Sequence, residues 1–118
     1  MRLALEPLAL RLSVARFQEN NLREIEGHRL SCDVAKDAIS WERANRAFHT
    51  AILKPCGRPR LLGQIGELQR LSAHKFHTKW QQKWVQTPDT DHVNIVRAMQ
   101  AGDASLACAV LVRHLSRA

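Results

Sequence analysis

This chain has little of what disulfides, strands or membrane spans require. Its 118 residues include three cysteines, Cys32, Cys56 and Cys108. The number is odd and no pair has CxxC spacing, which argues against both a disulfide framework and a thiolate zinc finger. Buried or indifferent thiols are the expectation for all three. Glycines number only five and prolines four, and Pro55, Gly57, Pro59, Pro88 and Gly102 fall between helical segments or at their ends. No run alternates apolar and polar residues long enough for a convincing strand. No apolar run approaches the ~20 residues of a membrane span. The opening Met1–Pro7 is charged too early for a signal peptide and lacks a small-residue cleavage site after a long apolar core. The expectation is a soluble, cytoplasmic protein. No Gly-rich phosphate loop and no G-x-S-x-G elbow is present, so hydrolase and transferase readings lack support. No internal repeat or low-complexity segment occurs.

What remains is enough for one domain. A chain of this size buries roughly two-thirds of its unfolded surface, so one ordinary core suffices. Hydrophobic residues make up 45% and charged residues 25%, a globular balance. Eighteen Lys plus Arg stand against 11 Asp plus Glu, for a formal charge of +7. Such a surplus favours small anionic ligands or polyanions. The positive residues are spread from Arg2 to Arg117 without a dense block. A basic nucleic-acid-binding helical protein is therefore the lesser alternative.

Helical periodicity dominates and predicts about six helices joined by short links, an all-α antiparallel bundle. The first runs from about Arg2 to Phe17, with Leu5, Leu8, Leu12 and Ala15 as its apolar stripe and Pro7 tolerable near the first turn. The second covers about Asn20 to Cys32, with Leu22, Ile25 and Leu30 inward. The third covers about Ala38 to Leu53, with Trp41, Ala44, Phe48 and Ile52 on one face. Lys54-Pro55-Cys56-Gly57 ends it. The fourth begins at Pro59, carries Leu61, Leu62, Ile65, Leu68 and Leu71, and reaches Trp80 or Trp84. Gln86–Thr90 is a break that caps the fifth helix, about Asp89 to Gln100. Ala101-Gly102 separates it from the sixth, where Asp103 is the expected N-cap and Leu106, Val110 and Leu111 point inward.

Six histidines occur, and spacing decides which of them can cooperate. Asn45 and His49 are four apart and share a helix face. His92 lies near the start of the fifth helix and His114 near the end of the sixth. A short link makes those helices antiparallel neighbours, so the two histidines sit at one level. Three imidazoles and one amide oxygen can then converge inside the bundle. Spacing alone does not make this a site, because histidines in bundles are usually satisfied polar or surface residues. His74 and His77, three apart, could share a face toward a cavity, and Arg70 offers a bidentate fork for a carboxylate if it points inward. A solvated face is an equally good reading of that stretch. His28 has no useful partner and is expected to be exposed. Trp80 and Trp84 read as core or interface anchors, a dimer contact or a cavity lid. Glu42, three residues before Asn45, would be the general base of a metal-dependent enzyme built on such a bundle; nothing else points to that alternative.

Five segments in register carry a resemblance. Asn45-Arg46-Ala47-Phe48-His49 is similar to Asp-x-x-Phe-His. Asp91–Asp103 is similar to an acidic residue followed by His-x-x-Ile-x-x-Ala and a closing Gly-Asp. Ala107 with Val112-Arg113-His114-Leu115 is similar to a final Ala-…-His-Leu. Arg2–Pro7 matches an Arg-x-x-Leu-Glu opening, and Cys56–Leu62 the loop that starts a fourth helix. Together they resemble the FCD domain, the C-terminal effector-binding domain of FadR-subfamily GntR transcription regulators, over essentially the whole chain. The resemblance implies an all-helical bundle with a central ligand cavity, no enzymatic activity and a likeness to homodimeric regulators. It implies a divalent metal (zinc, nickel or manganese) held by Asn45, His49, His92 and His114, with open positions for the carboxylate of a small organic acid. Arg70 and His74 are the expected effector contacts. Two departures stand out. Asn45 replaces the usual Asp and brings no negative charge, so a weaker metal site is expected. The chain also opens at the domain's first helix, so DNA binding is expected to belong to a separate N-terminal winged helix-turn-helix.

Overall fold

The computed structural model describes residues 1–80, 83–87 and 89–117. Six helices follow one another: α1 (Arg2–Arg16), α2 (Glu19–Val34), α3 (Ala38–Leu53), α4 (Pro59–Trp80), α5 (Thr90–Gln100) and α6 (Ala104–Ser116). A short 3-10 turn, Lys54–Cys56, links α3 to α4. No strand occurs among the described residues. The predicted all-α class and the six helices hold, with ends shifted by one or two residues. The expected extension of the fourth helix to Trp84 crosses Gln81 and Gln82, which lie outside the described residues, as do Pro88 of the predicted break and the terminal Ala118.

The helix boundaries have local chemical causes. Asp37 accepts from the Ser40 backbone N–H at 2.7 Å, Asp89 from His92 N–H at 3.2 Å and Asp103 from Leu106 N–H at 3.0 Å. Each aspartate satisfies a donor that the first helical turn leaves free. Gln18 and Asn21 close α2 with a reciprocal capping box. The most consequential junction is the end of α5. Gly102 sits in the left-handed region at φ 70°. Its N–H reaches Met99 O at 3.1 Å, and Asp103 N–H reaches Ala98 O at 2.9 Å. This pair of bonds is a Schellman motif, for which glycine carries no Cβ penalty. Asp103 then caps α6 at once, so two helices reverse over three residues.

The core gathers Leu10, Ile25, Phe48, Ile52, Leu53, Ile65, Ile95, Met99 and Leu111, all essentially without solvent contact. Helix α1 packs on α6, α2 on α3, and α5 on α6. All three cysteines are free and buried. Burial, reinforced by Asp89 and Asp33, pushes the Cys32 thiol up to about 12, which keeps it protonated and unreactive.

The inward faces differ from the hydrophobic stripes at several positions. In α1 the buried residues are Glu6, Ala9, Leu10, Ser13 and Val14, whereas Leu8 and Ala15 are exposed. The helix is turned relative to its expected stripe because two polar residues find partners inside. Ser13 Oγ donates to Ile52 O at 2.5 Å, and Glu6 pairs with Arg2 and His49. A pattern that counts polar residues as outward misses both. Leu30 of α2, Leu71 of α4 and Leu106 of α6 are likewise exposed. On α4 the inward stripe is Ile65, Gln69 and Ala73. On α6 it is Ala107, Cys108, Val110 and Leu111. Pro7 stands in the second turn of α1, beyond the first-turn position expected for it.

Candidate functional site

The three histidines predicted to converge do so. One ring nitrogen from each of His49, His92 and His114 lies within 4.8 Å of the other two. His49 comes from the middle of α3. His92 and His114 come from the α5–α6 hairpin, and the tight Gly102 reversal brings the first turn of α5 beside the last turn of α6. Their ring centroids are 5.0 to 5.6 Å apart. Phe48 stacks on His92 at 4.1 Å, so the core wall behind the cluster is aromatic.

Two carboxylates orient the rings. His49 Nδ1–H donates to Glu6 Oε1 at 3.3 Å, and His114 Nδ1–H donates to Asp91 Oδ2 at 3.2 Å. Each bond selects the tautomer that leaves Nε2 with a free lone pair. A carboxylate behind a histidine in this way is the usual support for a metal-ligating imidazole. Both carboxylates are held as anions. Burial pushes Glu6 up, but the hydrogen bond and charge of His49, with Arg2, outweigh it and lower its pKa. Burial likewise acts upward on Asp91, and His114, Arg113 and Arg117 more than offset it. Arg113 and Arg117 reach Asp91 at 3.2 and 2.9 Å.

His92 and His114 are pushed toward the neutral form for the converse reason. Burial, then repulsion from His49 and His114, pushes His92 down to about 2. Burial and His49 also lower His114, against the pull of Asp89 and Asp91. The sign for stability follows directly. In the metal-free domain His92 resists protonation, whereas the unfolded chain takes up that proton near its ordinary 6.5. The contribution is complete above pH 6.5 and shrinks as pH falls toward 2. Metal-free protein is expected to lose up to about 1.4 kcal/mol per pH unit through this group alone. Thermal unfolding at pH 7.5, 6.5 and 5.5 checks it; a midpoint that stays level or rises on acidification contradicts it.

The donor set passes a direct test for a cation. His49 Nε2, both His92 ring nitrogens and Asn45 Oδ1 are buried and lack any hydrogen-bond partner. Buried polar atoms left unsatisfied are costly and mark an absent partner. Three are imidazole nitrogens from two rings and one is an amide oxygen, which suits a borderline divalent metal. A residue not singled out from sequence stands beside them. Asp89 Oδ2 lies 3.3 Å from His92 Nε2 and 4.0 Å from His114 Nδ1, so a negative charge is present next to the cluster although position 45 has none.

The cluster opens on a cavity of about 650 Å³, within the usual range for small-molecule sites. Asn45, His49 and His114 line it, as do Glu42 and the arginines Arg2, Arg46 and Arg117. Gln69 also lines it, 4% exposed, with Nε2 unpartnered. Trp80 and Trp84, read from sequence as interface anchors or a lid, are cavity lining together with Trp41 and Phe76. Arg70 and His74 are not where they were expected. Arg70 is 66% exposed and paired with Glu67, and His74 is exposed. Helix phase explains both. Gln69 and Ala73 hold the cavity-facing positions, and Arg70 and His74 each lie one residue, or about 100°, further round. His77 turns partly inward, its Nε2 3.7 Å from Glu42 Oε1. His28 is half-buried, 3.9 Å from Glu24.

Sequence could have flagged Glu6, which stands in the Arg-x-x-Leu-Glu opening, but its spacing implies no contact with His49, 43 residues away. Gln69 and Asp89 carry no sequence signal beyond helix phase and a cap.

Comparison with known proteins follows this geometry. The family model of the FCD domain matches residues 1–117. No curated protein matches the chain in sequence. A solved GntR-family transcriptional regulator from Pseudomonas syringae pv. tomato superposes with a TM-score of 0.88 at 23% identity, covering 98% of this chain and 49% of that one. McbR/YncC of E. coli superposes at 0.86 with 20% identity, covering 98% of this chain and 61% of that one. The chain thus spans about half to three-fifths of the length of these regulators, and the likeness shows that the bundle is shared. Among the described residues no helix is long and apolar enough to cross a membrane. A match over nearly the whole chain settles membership: this protein belongs to the FCD domain family.

Proposed function

We propose that this chain is the effector-sensing domain of a cytoplasmic GntR-family regulator of the FadR type. In this reading it binds a small organic acid through a divalent metal, zinc, nickel or manganese. The observation that carries the reading is the set of buried atoms without partners, on His49, His92 and Asn45, gathered at the end of an arginine-lined cavity. His114 completes the ligand set. When bound, the metal supplies positive charge and open coordination positions for carboxylate oxygens.

The protein's own residues do the rest. Glu6 and Asp91 hold two imidazoles in the liganding tautomer. Burial keeps His92 neutral and ready to ligate. Arg2, Arg46 and Arg117 raise the potential of the cavity and favour an anionic ligand. His49 stands on α3, and His92 and His114 on the α5–α6 hairpin. A ligand that engages the cluster therefore ties these two parts of the bundle together. It favours one packing in proportion to its differential affinity for the two states. In a homodimer that packing sets the spacing of DNA-binding domains lying outside these residues.

The test is calorimetric titration with lactate and citrate of metal-loaded and chelator-stripped protein. Binding is expected to weaken at least tenfold on stripping, and Arg70→Ala is expected to bind as the wild type does. Binding of both acids to the stripped protein as tightly as to the loaded protein overturns metal-mediated sensing.

A further inference from the structure

The chain has three tryptophans and no tyrosine. All three tryptophans, Trp41, Trp80 and Trp84, line the cavity beside the histidines, together with Phe76. The core proper keeps a single buried aromatic, Phe48. Trp41 stacks on Phe76 at 5.3 Å and faces Trp84 at 6.4 Å. Trp80 is 39% exposed. Large aromatic faces left partly open in a cavity are platforms for flat apolar groups.

The position of this wall is set by antiparallel register. Thr50 of α3 bonds Gln69 of α4 at 3.4 Å. Glu42 lies 3.7 Å from His77, and Trp41 stacks on Phe76. Trp41, Asn45 and His49 occupy successive turns of one face of α3, and all three line the cavity. The eight steps from Trp41 to His49 span about 12 Å of helix. The cavity is therefore polarised. One end holds the His49 and His114 imidazoles and the Asn45 amide, with fully buried His92 beside them; the other is an indole and phenyl wall.

We propose that the effector is an aryl-alkanoate: an aromatic ring and a carboxylate separated by a short aliphatic spacer. The inference rests on the carboxylate reading above and narrows it to a ligand class. The carboxylate takes the His49–His92–His114 end. The ring lies against Trp41, Trp80 and Trp84. Benzoate, with ring and carboxylate directly joined, is too short to engage both ends. Lactate reaches only one. Gln69 Nε2, buried and without a hydrogen-bond partner along the way, offers one donor to a polar substituent on the spacer.

The test is calorimetric titration of the metal-loaded full chain with 3-phenylpropionate, benzoate and lactate, repeated on Trp84→Ala and Trp80→Ala. Neither tryptophan is in the hydrophobic core, and circular dichroism verifies that both variants fold. We expect 3-phenylpropionate to bind at least ~10-fold tighter than benzoate or lactate. That advantage should fall about 10-fold in Trp84→Ala, with lactate affinity changing less than about twofold. Lactate binding as well as 3-phenylpropionate, or an advantage that survives both substitutions, overturns the aryl-alkanoate assignment and leaves the metal–carboxylate reading standing. Failure of all three acids to bind metal-loaded protein overturns both.

Discussion

Replacing Phe48 by alanine is expected to destabilise the domain by about 3–5 kcal/mol. Phe48 is fully buried in the main core cluster with Ile52, Leu53, Ile95 and Met99. Removing its ring deletes the transfer free energy of a large apolar group. It also leaves a cavity that helices on several sides cannot all collapse into. The loss is a large fraction of the 5–15 kcal/mol typical of a whole domain. The effect extends to the site, because the same ring stacks on His92 at 4.1 Å and meets His49 edge-on at 5.9 Å. Urea unfolding of the metal-free protein measures it. A midpoint shift corresponding to less than about 1 kcal/mol would mean that the packing around Phe48 is not what holds the bundle together.

Metal affinity should drop more than 100-fold in His92→Ala and rise in Asn45→Asp. Loss of supporting residues behind a ligand typically costs 10–100-fold, so deleting the ligand itself exceeds that range. His92 is the extreme case because both of its nitrogens are buried without partners. Its removal takes away a central donor and opens space behind the other two rings. Asn45→Asp is the complementary change. It substitutes a charged oxygen for a neutral one at a position whose Oδ1 is already buried and unpaired. A divalent cation favours anionic oxygen over a neutral amide oxygen. Elemental mass spectrometry and competition with a chromophoric chelator provide the measurement. Unchanged metal content in His92→Ala, or weaker binding in Asn45→Asp, would show that the ion does not reside among these side chains.

The contrast between these two positions shows what sequence spacing can reach. Asn45 and His49 lie four apart on one helix, and periodicity alone puts them on one face. His92 and His114 required one more step, the short Ala101-Gly102-Asp103 link, which makes the last two helices an antiparallel pair. Both inferences use local geometry, and both agree with the structure. Arg70 and His74 failed at the same level of reasoning. A helix with leucines at 61, 62, 68 and 71 and polar residues between them does not declare which 100° step faces a cavity. Leu71 is exposed, while Gln69 is buried. The choice was made by α3, whose Thr50 and Trp41 meet Gln69 and Phe76.

By itself the sequence determined the helices, their caps, the reversal at Gly102 and the pairing of Asn45 with His49, because each depends on residues within a few positions of one another. Only the tertiary structure decided that α1 turns Glu6 and Ser13 inward and that Glu6 stands behind His49. The tertiary structure alone also brought Asp89 beside the histidines and turned three tryptophans to face the same cavity. The α1 outcomes depend on contacts between distant parts of the chain, 43 residues apart for Glu6 and His49 and 39 for Ser13 and Ile52, in which a polar side chain is buried because its partner is already there. Hydrophobic periodicity cannot register such a pairing, since it assigns every polar residue to water.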